Sequence, residues 1–187
     1  MSTAALENAI KSTRAVLAGV HPEQLQTATP CASWDVAGLI DHIVGGQYFF
    51  ATFASGAAPS SDAPPAFALG DFLATFDQGA AACVAAFSAD GVMDAILHLP
   101  FGDMPGSAFV GLAATDTFVH GWDLARATGQ NSDLDPALAA GLLEGARPAI
   151  GPMMRGDDGQ APFGPETTAP ADASNADRLA AFLGRSV

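Results

Sequence analysis

The block of the chain from Thr115 to Arg126 holds two carboxylates, a histidine and a tryptophan. Asp116 and His120 are four residues apart, so on a helix they project from the same face, about one turn from each other. Both side chains can therefore ligate one metal ion. The best third ligand is His42, which lies on an earlier predicted helix. Three protein ligands leave one coordination position open, the arrangement of a catalytic rather than a structural metal site.

Two other residues bear on this site. Asp123 lies one turn after His120 and is a candidate either to hydrogen-bond a metal ligand or to form a pocket wall. His98 is the rival third ligand, but no second ligand accompanies it at helical spacing. A histidine such as His42, at the border of an apolar helical stripe, is often only packed or hydrogen-bonded, and neutral imidazole is also the commonest protein metal ligand.

The helical stripe that contains Asp116, His120 and Asp123 has two interpretations. One is a solvated face of the helix. The other is a polar site in the interior, because Phe118, Val119 and Trp122 flank the stripe and make much of the helix apolar. Buried ionisable groups need a partner that neutralises them. The apolar flanks favour the interior site.

The composition limits the classes of partner. A formal net charge of -13 and a single lysine, Lys11, argue against nucleic acid and anionic membrane surfaces. With 187 residues and 49% hydrophobic content the chain is expected to form one domain with a sizeable core. We find no signal peptide or spanning helix and expect a cytoplasmic protein. Pattern alone does not separate an exposed apolar face from core, so the oligomeric state, including a homodimer, stays open.

Apolar periodicity and capping residues predict the elements that must position these groups. A short mixed segment from Val92 to Leu99 is expected to be strand-like or irregular, followed by a turn through residues 100–106. A long connection from Gly56 to Ala68 means that the helices on either side of it need not be antiparallel neighbours. The predicted helices run from Thr3 to about Gly19, from Trp34 (N-cap Ser33) to about Ser55, from about Asp71 to Ser88, from N-cap Ser107 to Thr128 with Gly129 as the stop, from Asp135-Pro136 to about Arg147-Pro148, and from Ser174-Asn175 to a stop at Gly184.

Three stretches of the chain resemble a known family. They are Thr29-Pro30-Cys31 with Trp34 and His42, the block DTFVHGWDLARATG that begins at Asp116, and the tail from Asp177 to Arg185. Together they resemble the DinB-like metalloenzyme superfamily, and within it the branch of mycothiol-dependent maleylpyruvate isomerase. The resemblance implies an all-α fold, a four-helix bundle (about residues 1–130) with a long helix 2–3 connection and additional C-terminal helices (about 131–187).

The resemblance also implies a divalent metal held by one ligand from the second helix and two from the fourth, which are His42, Asp116 and His120 here. The isomerase has Glu at the position of Asp116 and a larger C-terminal portion, so metal binding carries over better than substrate identity. Two histidines and a carboxylate are compatible with Zn²⁺ but not exclusive to it, and Ni²⁺ or another divalent ion stays open.

Three functions compete. The leading one is a transferase or isomerase in which the metal binds and activates a low-molecular-weight thiol, mycothiol by resemblance, for reaction with an electrophilic small molecule. The second is a metal-dependent hydrolase. The third is a non-catalytic bundle protein that binds a metal or small molecule. A protein nucleophile is not expected, because Cys83 lies in an apolar stripe and no Lys, Arg or His adjoins Cys31 in the sequence.

Overall fold

The structure, a computed structural model, describes residues 2–60, 65–157 and 160–187 and is mostly α-helical. One small antiparallel sheet joins two short strands. Short 3-10 turns occupy Pro22–Gln24, Phe67–Leu69 and Pro152–Met154. The elements are α1 (Ala4–Leu17), α2 (Val36–Ser55), α3 (Phe72–Ser88), β1 (Ile96–Leu99), β2 (Gly102–Pro105), α4 (Gly106–Thr128), α5 (Pro136–Ala149) and α6 (Asn175–Phe182).

The all-α prediction is confirmed for the helices and wrong at the hairpin formed by β1 and β2. The strand-like segment is β1, in which Leu97 and Leu99 are buried while Ile96 and His98 face outward. This alternation has the period of a strand with one buried face. The predicted turn is shorter than expected, because Gly102 already begins β2 and the two strands pair through that segment.

Two helix starts differ from the prediction. The helix α2 begins at Val36 because Asp35, and not Ser33, caps it by accepting a hydrogen bond from the backbone N–H of Gly38 at 2.9 Å. Trp34 consequently lies in the loop before the helix. The helix α4 begins one residue before the predicted cap Ser107. Its end is as predicted, because Gly129 adopts the left-handed conformation with φ of 71°.

Helices α2 and α3 pack directly against each other in spite of the long connection between them. The Tyr48 hydroxyl on α2 donates to the backbone carbonyl of Thr75 on α3 at 3.1 Å. Residues 61–64 of the connection lie outside the described residues. Helix α1 packs against α4, and its Arg14 binds Asp77 of α3 through two hydrogen bonds of 2.6 and 2.7 Å. Helices α1 and α2 therefore both pack against α4, which carries the central motif, and α3 packs on α1 and α2.

The central helix α4 belongs to both hydrophobic clusters of the core. Phe118, Val119 and Trp122 are buried, as predicted, in a cluster that includes residues of α5 and α6. Leu124 belongs to a second cluster with residues of α1, α2 and α3. Apolar residues thus enclose α4 on most sides, which fixes the positions of its polar side chains. Within the described ranges, no helix combines the length and the apolar character needed to cross a membrane.

Gly121, within the central motif, allows α1 to approach α4 closely. A Cβ atom added at Gly121 would lie 2.3 Å from Oγ1 and 3.2 Å from Cα of Thr13. The Thr13 hydroxyl donates to the backbone carbonyl of Thr117 at 2.7 Å, and both residues are buried. The glycine of the motif, which directly follows His120, is therefore required by helix packing.

We expect Gly121→Ala to destabilise the fold. Alanine is favoured over glycine in a helix by about 1 kcal/mol, but the contact with the Thr13 backbone cannot be relieved by a rotamer change and overpacking costs about 1–3 kcal/mol. The free energy of unfolding, measured by urea denaturation, should therefore fall. The substitution should cost less in a Thr13→Ala background, which removes the closest atom. An unchanged free energy of unfolding in Gly121→Ala would contradict the close approach.

Candidate metal centre

The structure brings His42 of α2 together with Asp116 and His120 of α4. One potential ligand atom from each residue lies within 4.8 Å of the others. Oδ1 of Asp116 is 3.6 Å from Nε2 of His42 and 3.5 Å from Nε2 of His120. His120 is buried, whereas His42 and Asp116 are partly exposed. The three residues predicted to be ligands thus share one small site that solvent reaches from the side of His42 and Asp116.

The three side chains fit a divalent cation. Ligand atoms at about 2.0–2.2 Å from a tetrahedral metal lie roughly 3.3–3.6 Å apart, which agrees with the separations observed from the carboxylate to the two imidazoles. Nε2 of His42 is buried and has no hydrogen-bond partner among the described residues. A buried polar atom without a partner is costly, and a cation at this position would satisfy it.

A buried carboxylate and a guanidinium lie on the Nδ1 side of His120, away from Asp116. Nδ1 of His120 is 2.9 Å from Oδ2 of Asp123, which is fully buried. Arg185, just after α6, donates to both oxygens of Asp123 at 3.2 and 3.0 Å. Asp123 therefore holds the ring of His120 so that Nε2 faces Asp116. This contact agrees with the first of the two predicted roles of Asp123, a hydrogen bond to a metal ligand.

The charges of these groups depend on one another. Burial opposes the ionised form of Asp123, but His120 and Arg185 outweigh it and lower the pKa of this carboxyl to about 2. Burial likewise opposes ionisation of Asp116, yet the imidazoles of His120 and His42 hold its pKa well below the usual range. Both carboxylates are therefore negative at neutral pH. In the absence of a cation, the same contacts raise the pKa of His120 in spite of its burial.

Cys31 lies beside Asp123 and the Nδ1 atom of His120. Its Sγ donates to Oδ2 of Asp123 at 3.2 Å and is 4.0 Å from Nδ1 of His120. The guanidinium of Arg185 approaches the sulfur at 3.5 Å. The expectation that no cationic residue adjoins Cys31 is therefore wrong in space, although it is correct along the sequence. The contact joins residues 154 positions apart, and local spacing does not reveal it.

The two cysteines are expected to differ in reactivity. Burial raises the pKa of Cys83 to about 12, so its thiolate is scarce at pH 8, whereas Cys31 is partly exposed. Because folding raises this pKa, the protonated thiol of Cys83 contributes to the free energy of unfolding below about pH 8.5. That contribution declines as the pH rises towards 12. A disulfide reagent at pH 8 should titrate one thiol in the native protein and two after denaturation. Two rapidly reacting native thiols would contradict the burial of Cys83.

The rival ligand His98 is elsewhere. It lies on β1, where its Nδ1 is 2.8 Å from Oδ1 of Asp103 on the paired strand, and both side chains are exposed. The described residues form two groups of potential metal ligands, one of His42, Asp116 and His120 and one of Cys31, His120 and Asp123, and His98 belongs to neither. Besides Cys31, the sequence patterns did not predict two further neighbours of the site, Trp34 and Arg185. Trp34 stacks on His42, and Arg185, which lies in the tail that resembles the family, donates to Asp123.

A mostly helical fold and a cluster of two histidines and a carboxylate characterise a candidate helical metalloprotein. Residues 6–125 match the family described as the mycothiol maleylpyruvate isomerase N-terminal domain, and the chain belongs to that family. Proteins from two strains of Mycobacterium tuberculosis, each named as an uncharacterized protein, are 44% identical to the chain over 173 residues, which covers 92% of this chain and 91% of each relative. No solved structure gave a significant match.

Proposed function

We propose that the protein is a divalent-metal-dependent transferase or isomerase that uses a low-molecular-weight thiol, mycothiol, on an electrophilic small molecule. The observation that supports this most is the convergence of the ligand atoms of His42, Asp116 and His120, with one buried imidazole nitrogen lacking a partner among the described residues. Membership of a family named for a mycothiol-dependent isomerase supports the choice of thiol.

Each residue of the site has a separate part in this proposal. His42, Asp116 and His120 would hold the cation, with Zn²⁺ the leading candidate and Ni²⁺ the alternative. A bound divalent cation supplies positive charge that lowers the pKa of a thiol beside it. Asp123 orients His120 and balances the charge of Arg185. The partly exposed side of His42 and Asp116 gives small molecules access to the site.

We also propose that helices α1 to α4 form the four-helix bundle of the DinB-like superfamily. The contacts of α1 with α4, of α2 with α3 and of α2 with α4 support this arrangement. Residues 131–187 would extend the same domain, since α5 and α6 pack on each other and on α4. The partners would be small molecules rather than nucleic acid or membranes, because a net charge of -13 repels phosphate groups.

Hydrolysis is the second candidate. The accessible side of the site would admit water as well as a thiol, and a divalent metal can lower the pKa of water to about 7. The non-catalytic alternative is less well supported in the form that binds a small molecule without a metal. A bundle that no longer carries a metal is expected to have an apolar centre, whereas this one contains two histidines and two carboxylates. Thiol dependence separates transfer from hydrolysis.

We expect activity to require both the metal and the thiol. Purified protein loaded with Zn²⁺ should isomerise or conjugate a maleylpyruvate-like or epoxide electrophile in the presence of mycothiol, as followed by substrate absorbance or mass spectrometry. Omission of mycothiol, or removal of the metal by a chelator, should abolish turnover. His120→Ala should be inactive under all three conditions, because the variant lacks a proposed ligand.

Two results would require another mechanism. Equal hydrolysis of an ester or amide with and without thiol would favour the hydrolase. Complete loss of activity in Cys31→Ser, with its fold and metal content intact, would indicate a protein cysteine as the nucleophile, because serine can donate the same hydrogen bond to Asp123. Cys83→Ala serves as the control for loss of a thiol remote from the site.

A further inference from the structure

Trp34 contacts both histidines of the candidate metal centre. Its ring stacks on the imidazole of His42, with centroids 4.4 Å apart and planes inclined by 25°. It meets the imidazole of His120 edge to face, with centroids 5.6 Å apart. The two imidazoles are themselves edge to face at 4.5 Å. One indole therefore covers both nitrogen ligands of the proposed metal site.

The two histidines are oriented by different means. A hydrogen bond from Nδ1 to the carboxylate of Asp123 fixes the ring of His120. For His42, the structure shows a parallel stacking contact with the indole of Trp34. Stacking restricts the plane of an imidazole and leaves its ring nitrogens available to other partners. The stacked ring presents Nε2 at 3.6 Å from Asp116, within the group of potential ligand atoms.

Hydrogen bonds hold the backbone of Trp34 in place. Its carbonyl accepts a hydrogen bond from the Thr29 hydroxyl at 2.8 Å, and its N–H donates to the carbonyl of Cys31 at 3.0 Å. A Cβ atom added at Gly38 would lie 3.3 Å from Cδ1 of the indole, so this first turn of α2 leaves space sized for the ring. The loop thus holds the indole in a defined place beside the helix that carries His42.

We propose that Trp34 is a positioning residue for the metal centre. Its indole holds the His42 imidazole in the plane that directs Nε2 towards Asp116 and His120, and it screens both imidazoles on one side. The inference rests on the proposed metal centre and adds a residue that is not itself a ligand. Loss of a group that orients a metal ligand typically weakens metal affinity by about 10–100-fold.

Zinc affinity measured by competition with a chromophoric chelator tests the inference. Trp34→Leu keeps an apolar side chain but lacks a stacking ring, and its dissociation constant for Zn²⁺ should rise at least about tenfold. Trp34→Phe keeps a ring and should retain most of the affinity. Trp122→Phe is the matched control, because the indole of Trp122 is buried and donates to Asp177. Its zinc affinity should equal that of the wild type.

A fluorescence measurement tests the same geometry and does not require an activity assay. The chain has two tryptophans, so Trp122→Phe leaves Trp34 as the sole tryptophan emitter. Addition of Co²⁺, a paramagnetic quencher, should reduce the Trp34 emission with the midpoint found for metal binding. A His42→Ala substitution in the same background should remove this quenching. Trp34→Gln supplies a second non-aromatic variant if Trp34→Leu does not fold.

The possible failures are distinguishable. Wild-type zinc affinity in a folded Trp34→Leu variant would overturn the positioning role and leave the metal centre intact. Equal loss of affinity in Trp34→Phe and Trp34→Leu would show that ring stacking is not the cause, and it would also overturn the inference. Failure of the wild type to bind Zn²⁺ or Co²⁺ at all would overturn the proposed metal centre, and the role of Trp34 with it.

Discussion

Alanine at His42, Asp116 or His120 is expected to reduce the bound divalent metal from about one ion per chain to a trace. Each substitution removes one of three convergent ligand atoms, and two remaining ligands do not hold a divalent cation against dilution and a weak chelator. Elemental analysis of the purified variants measures the effect. His98→Ala is the matched control, because His98 is an exposed histidine paired with Asp103 on the hairpin and should leave the metal content unchanged.

Each of the three variants should remain folded. The core is built from two hydrophobic clusters that do not depend on a metal, so chelation should preserve the helical circular dichroism spectrum. Undiminished metal in any one variant would exclude that residue from the site. A collapse of the spectrum on chelation would instead mean that the metal is structural, as in a zinc finger.

Much of the helical framework was predictable from the sequence because local rules determine it. Apolar periodicity located the helices, and Gly129 marked the end of α4. The start of α2 was misplaced because Ser33 and Asp35 are both good caps, and only the folded loop shows that the carboxylate of Asp35 reaches the N–H of Gly38. The sequence indicated the first strand of the hairpin but not the second, because a four-residue strand gives little periodic signal.

The candidate site was predictable only where its residues share a helix or a motif. Asp116, His120 and Asp123 follow from helical spacing, and His42 followed from its residue type and from the resemblance. The neighbours Cys31 and Arg185 are 89 and 62 residues from His120 and Asp123 respectively, and only the packing of the loop and the tail against α4 brings them there. Metal binding itself stays a prediction.

The second large effect is expected for Asp123→Ala. Asp123 is fully buried, and Arg185, whose side chain is 11% exposed, donates to both of its oxygens. Removal of the carboxylate leaves a largely buried guanidinium without its counter-ion, and breaking such a pair from one side costs about 3–5 kcal/mol. The free energy of unfolding, measured by urea denaturation in the presence of a chelator, should fall by that amount. The chelator excludes any contribution from a bound metal.

The pair with Arg185 and the contact with His120 can be separated by further variants. Asp123→Ala combined with Arg185→Ala should recover part of the lost stability, because the unpaired charge is gone. Zinc affinity should stay about 10–100-fold below that of the wild type in both variants, since His120 has lost the carboxylate that orients it. Arg185→Ala alone keeps this carboxylate and should bind Zn²⁺ more tightly than either. If the double variant were no more stable than Asp123→Ala, the pair with Arg185 would not account for the lost stability. If both variants bound Zn²⁺ as the wild type does, Asp123 would not orient His120 for metal binding.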